Sequence, residues 1–217
     1  MQLIQSIEIS PYGFANEEYD HPNGNSKDLP EEWYQYWKKC ISDKSLERLE
    51  PIHKGSYLVD IETINDDELE EILQNKFTDM ELPILENVFK LDGGIALKEN
   101  NEFYIVPQCC GDLGNIWDWE RIFGAEENTW HQIWIGHPCV NFRKNNGRIN
   151  FSVYTEPKEK YPTDYEVLVT VSESALQTEL VKMRKLHTDF EHRIRETLDK
   201  MGIPNSEEIS KIMTGNE

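Results

Sequence analysis

Cys109, Cys110, His137 and Cys139 carry the two side-chain types, thiolate and imidazole, that hold tetrahedral zinc. Their spacing argues against it. Adjacent cysteines chelate one ion only with strained geometry, and no C-x-x-C pair is present. Cys109 could instead serve as a nucleophile, with His131 or His137 as base and Asp112 as orienter. Nothing in their spacing brings those partners together, and a structural cysteine at a strand end is the simpler reading. His187 and His192 lie five apart, about 140° on a helical wheel, and do not share a face. HTDFEH is not H-E-x-x-H. Gly93, Gly94, Gly111 and Gly114 form neither a dinucleotide fingerprint nor a phosphate loop, and read as turns and caps. No catalytic residue, metal site or cofactor is therefore assigned.

The same region is dense in aromatic residues. Phe103 to Cys139 holds four of the six Trp and three of the four Cys. Trp117, Trp119, Trp130 and Trp134 must build a core or an interface, because large aromatic surfaces are costly in water. Taken singly, each is better read as core.

Charge narrows the classes of partner. The net charge is −19, from 41 acidic and 22 basic residues. Residues 1–139 hold 28 acidic and 10 basic side chains, and residues 140–217 are nearly balanced with 13 and 12. Direct binding to nucleic acid needs clustered Lys and Arg, so it is not expected. A negative field attracts cations or basic proteins instead. No apolar run is long enough to span a bilayer. The first residues lack the basic start and apolar run of a secretory signal. Reduced thiols and a cytoplasmic location are the expectation.

These residues need a scaffold of strands and helices. LIQSIEI is a candidate strand, and a helix is expected over 30–49, with Pro30 in its first turn and Trp33, Trp37, Cys40 and Ile41 on its apolar face. SYLVDIE reads as a strand. INDDELEEILQNKF reads as a helix capped by Asn65. A hairpin follows, IALKE and EFYIVP about Asn100-Asn101. Residues 111–123 have helical spacing, with Asp112 as cap, and WHQIWIGH is a strand candidate. A second hairpin turns at Asn145-Asn146-Gly147, and YEVLVTVS is a last strand. The longest helix runs from about 174 to 200, with Leu176, Leu180, Met183, Leu186, Phe190, Ile194, Leu198 and Met201 as its buried stripe. SEEISKIM closes the chain as a short helix. Tight turns between neighbouring strands predict an α+β fold, an antiparallel or mixed sheet packed by helices. One domain is expected overall: an α+β body over 1–171 and a helical segment over 172–217 packed on it.

Leu82-Pro83, Gly93-Gly94, Phe103-Tyr104 with Pro107, and the acidic-aromatic segment Asp112 to Trp119 resemble the core of the SMI1/KNR4-like (SUKH) superfamily. The resemblance covers about 80–140. It implies a cytoplasmic immunity protein that neutralises a toxin by direct binding, with a nuclease as the toxin class whose charge fits. It carries no catalytic residue set. The long C-terminal helix and the N-terminal lead-in depart from short single-domain members. The candidate contact residues are Asp66, Asp67, Glu68, Glu70, Glu71, Asp112, Asp118 and Glu120, with Trp117 and Trp130 as aromatic anchors. The alternatives are an adaptor or regulator of the same fold, or an enzyme using Cys109 or zinc.

Overall fold

Gly93 and Gly94 open a buried strand, both at a positive φ that favours glycine, and at Gly94 there is no space for a side chain. The computed structural model describes residues 1–78, 85–156 and 164–216. Among these, six α-helices and two antiparallel sheets make an α+β protein. The strands are β1 (Gln2–Glu8), β2 (Leu58–Asp60), β3 (Gly93–Glu99), β4 (Glu102–Ile105), β5 (Trp130–Ile133), β6 (Val140–Asn145), β7 (Arg148–Ser152) and β8 (Val167–Ser172). The helices are α1 (Pro11–Phe14), α2 (Pro30–Ser42), α3 (Asp66–Phe77), α4 (Ile116–Arg121), α5 (Glu173–Lys200) and α6 (Ser206–Thr214). The sheets have strand orders β2-β1-β3-β4 and β5-β6-β7-β8. None of the described helices is long and apolar enough to cross a membrane.

The chain forms two compact units that are discontinuous in sequence. One comprises Met1–Gln5, Lys90–Asp189 and Thr214–Glu217, the other Ser6–Phe89 and Phe190–Met213. In the first, β5 to β8 form an antiparallel meander. Its central hairpin pairs Phe142 with Phe151 and turns at Asn146-Gly147, both at positive φ. Leu3, Ile95, Leu97, Ile105, Ile116, Trp119, Ile133, Phe151, Val171 and Leu176 belong to its core. In the second unit Ser6–Glu8 pairs with Leu58–Asp60, and Trp37, Cys40 and Ile41 of α2 are fully buried. The Trp37 indole N–H donates to the Ile9 carbonyl at 2.7 Å.

Several expectations need correction. Helix α2 ends at Ser42, not 49; Ser45 has φ +58°, which a helix cannot continue through. The glycine pair is not a turn. Gly93 and Gly94, at φ +138° and +132°, lie inside β3. A Cβ on Gly94 would stand 2.4 Å from Asn115 Nδ2. The strand from Trp130 stops at Ile133, and the stripe of α5 uses His187 in place of Leu186. His187 is fully buried and completes the spacing Leu176, Leu180, Met183, His187, whereas Leu186 is half-buried. The cap at Asn65 is as expected, a reciprocal capping box with Glu68. Asp112 instead caps the 3-10 turn Leu113–Asn115, its carboxylate accepting from the Gly114 N–H at 2.8 Å, and α4 itself starts from Asn115 with no side-chain cap. Leu82-Pro83 lies outside the described residues.

Two substitutions of different mechanism should rank clearly in chemical unfolding. Gly94→Ala forces a side chain into Asn115 at a left-handed φ, and should cost about 3 kcal/mol. Asn65→Ala removes one cap and should cost about 1 kcal/mol. Equal losses from the two would contradict the packing described for Gly94.

Candidate functional site

The short helix α4 is positioned by hydrogen bonds made in the turn that precedes it. Leu113 N–H donates to the Leu91 carbonyl at 3.0 Å, and Ile95 N–H donates to Asn115 Oδ1 at 3.2 Å. With about 100° between successive residues, Ile116 and Trp119 turn inward together. Trp119 is fully buried and its ring lies 5.6 Å from that of Phe151. Trp117, two residues away, then points out and is 49 % exposed.

Trp117 is nevertheless held on two sides. Its indole N–H donates to the Gly215 carbonyl at 2.9 Å, and the Arg184 guanidinium lies 4.0 Å from its ring centre. Arg184 also grips Glu120 with two parallel bonds, Nε to Oε1 at 2.8 Å and Nη2 to Oε2 at 2.5 Å. This bidentate geometry fixes both side chains more firmly than a single ion pair would. Asp118 pairs with Arg121 one helical turn on.

Beside α4 runs an open groove of about 700 Å³, lined by Trp117, Asp118, Glu120, Arg121, His131 and Phe142 among others. The His131 ring stacks on Phe142 with centroids 5.5 Å apart. A smaller hollow of about 270 Å³ shares Glu120 and adds Phe123, Leu180, Val181 and Arg184. Val181 is 68 % exposed. The groove therefore offers an aromatic face, apolar walls and charged edges of both signs.

The ten residues singled out in the sequence divide between the two units. Asp112, Trp117, Asp118, Glu120 and Trp130 lie in the first, and of these Trp117, Asp118 and Glu120 line the groove. Asp112 is the cap of the turn before α4. Trp130 is not in the groove lining. Its N–H donates to Asp164 Oδ1 at 2.8 Å, and Arg143 covers its ring at 4.6 Å. This N–H and that of Tyr165 hold the Asp164 carboxyl below the usual range. Asp66, Asp67, Glu68, Glu70 and Glu71 lie in the second unit, on α3. Glu68 does not present a contact surface as expected: it is 5 % exposed and engaged with the Asn65 N–H and, at 3.5 Å, with Arg48. Asp66 is paired with Arg193 at 2.9 Å.

Arg184, Arg121, Gln132 and Phe142 were not singled out by sequence reasoning. For Arg184 a signal existed: it directly follows Met183 on the buried stripe, where an arginine stem packs while its head reaches a carboxylate. Cys139 is buried, and its thiol donates to the Thr155 carbonyl at 3.1 Å, whereas Cys109, Cys110 and His137 are exposed. Among the described residues, no three His, Cys, Asp or Glu side chains cluster so as to hold a metal ion. Comparison with protein-family models, curated proteins and solved structures finds no significant match. The fold is that of an α+β protein, and the groove beside α4 is its candidate functional site.

Behind the groove, Gln5 Nε2 donates to His187 Nδ1 at 2.5 Å. Burial, reinforced by the charge of Arg184, pushes the imidazole down from 6.5 to about 4, against hydrogen bonds from the ring to Asn216 and the Thr214 backbone and the charge of Glu120. A histidine buried neutral favours the folded state above its unfolded pKa. That contribution is lost as pH falls from 6.5 through about 4, because the unfolded state then binds a proton the folded state refuses. On the order of 3 kcal/mol should disappear across this window. Urea unfolding of the wild type and of His187→Gln at pH 7 and pH 4 checks it: the variant should lose less stability on acidification.

Proposed function

We propose that the chain is an acidic protein-binding protein that acts in the cytoplasm as an immunity factor. It neutralises a toxin by binding it directly, and a nuclease is the toxin class its charge suits best. The observation that carries this reading is Trp117, half-exposed yet fixed by Gly215 and Arg184 at the edge of an amphipathic groove. A rigid exposed tryptophan loses little freedom when covered, so it contributes more binding energy than a mobile one.

Charge supports the same reading. A nuclease carries a basic groove for its substrate. A protein of net charge −19 is drawn to such a surface, with association on the order of 10⁸ M⁻¹s⁻¹ at low salt. The groove residues then provide the short-range fit, and Arg121 in the groove and Arg184 in the adjoining hollow select against partners that are uniformly basic.

The decisive experiment is co-expression with any toxin found encoded beside this gene, followed by titration of the purified pair. The chain should rescue growth and form a complex whose association slows steeply with salt. Trp117→Ala should weaken that complex by at least tenfold, equivalent to more than about 1.4 kcal/mol, and leave the melting temperature close to wild type. Continued killing with no salt-sensitive complex rules the proposal out. A complex with a non-toxic protein would favour an adaptor of the same fold.

A further inference from the structure

Cys109 and Cys110 are both exposed, and their Sγ atoms lie 3.5 Å apart. The loop that carries them is pinned by its backbone. Gln108 N–H donates to the Ile135 carbonyl at 2.7 Å, His137 N–H to the Cys109 carbonyl at 2.8 Å, and Gly93 N–H to the Gly111 carbonyl at 2.9 Å. At Gly111 a Cβ would meet the Ile135, Gly93 and Gln108 carbonyls at 2.7 to 3.0 Å, so the loop sits against its neighbours without slack. Cys110 has φ +67°. That left-handed conformation is uncommon for a residue other than glycine, and it persists only where surrounding structure enforces it. The fold therefore holds two accessible thiols in contact.

We propose that Cys109 and Cys110 form a vicinal dithiol that exchanges with small disulfides of the glutathione class and closes to an intramolecular disulfide. One thiolate attacks the small disulfide, forms a mixed disulfide and releases the first small thiol. The neighbouring thiolate displaces the second and closes the ring. The two protein sulfurs are oxidised, the two sulfurs of the small disulfide are reduced, and the two thiol protons leave on the released thiols. Resolution is fast because the second sulfur is already at contact distance, which raises its effective concentration over any competing thiol. Adjacent Cα atoms are about 3.8 Å apart, closer than the roughly 4.4–6.8 Å of relaxed disulfides. The closed form is thus strained and reopens under mild reduction, as labile disulfides do. Cys40 and Cys139 are buried and serve as unreactive internal references. This inference is independent of the toxin reading.

The test uses the whole folded chain with glutathione disulfide under native conditions. Wild type should lose two of its four thiols. The proteolytic fragment containing both residues should be lighter by two hydrogens and carry no glutathione, and dithiothreitol should restore all the thiols. Cys110→Ser and Cys109→Ser should each retain one unresolved glutathione on the remaining cysteine, with unchanged circular dichroism. Glutathione that persists on wild-type Cys109 or Cys110, a disulfide between two chains, or no loss of thiols would overturn the proposal.

Discussion

The contact between Gly94 and the Asn115 side chain is the constraint on which the candidate site depends. Asn115 fits over β3 only because position 94 has no Cβ, and from there its Oδ1 accepts the Ile95 N–H. That bond, with the Leu113 to Leu91 bond, fixes the turn that starts α4. Once α4 is fixed, its periodicity sends Trp119 to the core and Trp117 to the surface. A helix of only six residues has little stability of its own. Its orientation is a property of the strand beneath it, and the glycine pair is the part of the sequence that makes this approach possible.

Arg184 ties this local geometry to the interior. It binds Glu120 bidentately, covers Trp117 and lies close enough to His187 to disfavour a second positive charge there. The neutral imidazole can then sit against Gln5 without an uncompensated charge in the core. The bidentate pairing of Arg184 with Glu120, with the guanidinium over Trp117, holds these side chains in one arrangement. It gives the groove wall a defined shape, and a defined shape is a requirement for recognising one partner among many.

Much of the fold was legible because local patterns and tertiary packing agree. The turn at Asn146-Gly147, the caps at Asn65 and Asp112 and the long stripe of α5 each follow from nearby residues. The misses occurred where distant residues decide. The position of His187 in the stripe was hidden because its partners, Gln5 and the chain end at Thr214 to Asn216, are remote in sequence. The role of Gly94 depends on Asn115, twenty residues on. Helical periodicity separates Trp117 from Trp119 by about 200°. The apolar spacing Ile116, Trp119, Ile122 and Phe123 places Trp119 on the core side, but Gly215 and Arg184, which fix Trp117, lie far along the chain and leave no local pattern.

The acidic composition also separates into two physical roles. Asp66, Glu68, Asp112, Asp118 and Glu120 are engaged in caps or ion pairs that shape the fold. A carboxylate paired in this way contributes mainly a dipole, whose field decays faster with distance than that of a net charge. With 41 acidic against 22 basic residues, at least nineteen carboxylates lack a Lys or Arg of their own in any one-to-one pairing. These set the long-range potential, which ionic strength screens over about 8–10 Å. The groove residues act at contact, where screening matters less. In the proposed function, charge therefore governs how fast a basic partner arrives, and the geometry around Trp117 governs how long it stays. The two should respond differently to salt and to substitution because they arise from different residues.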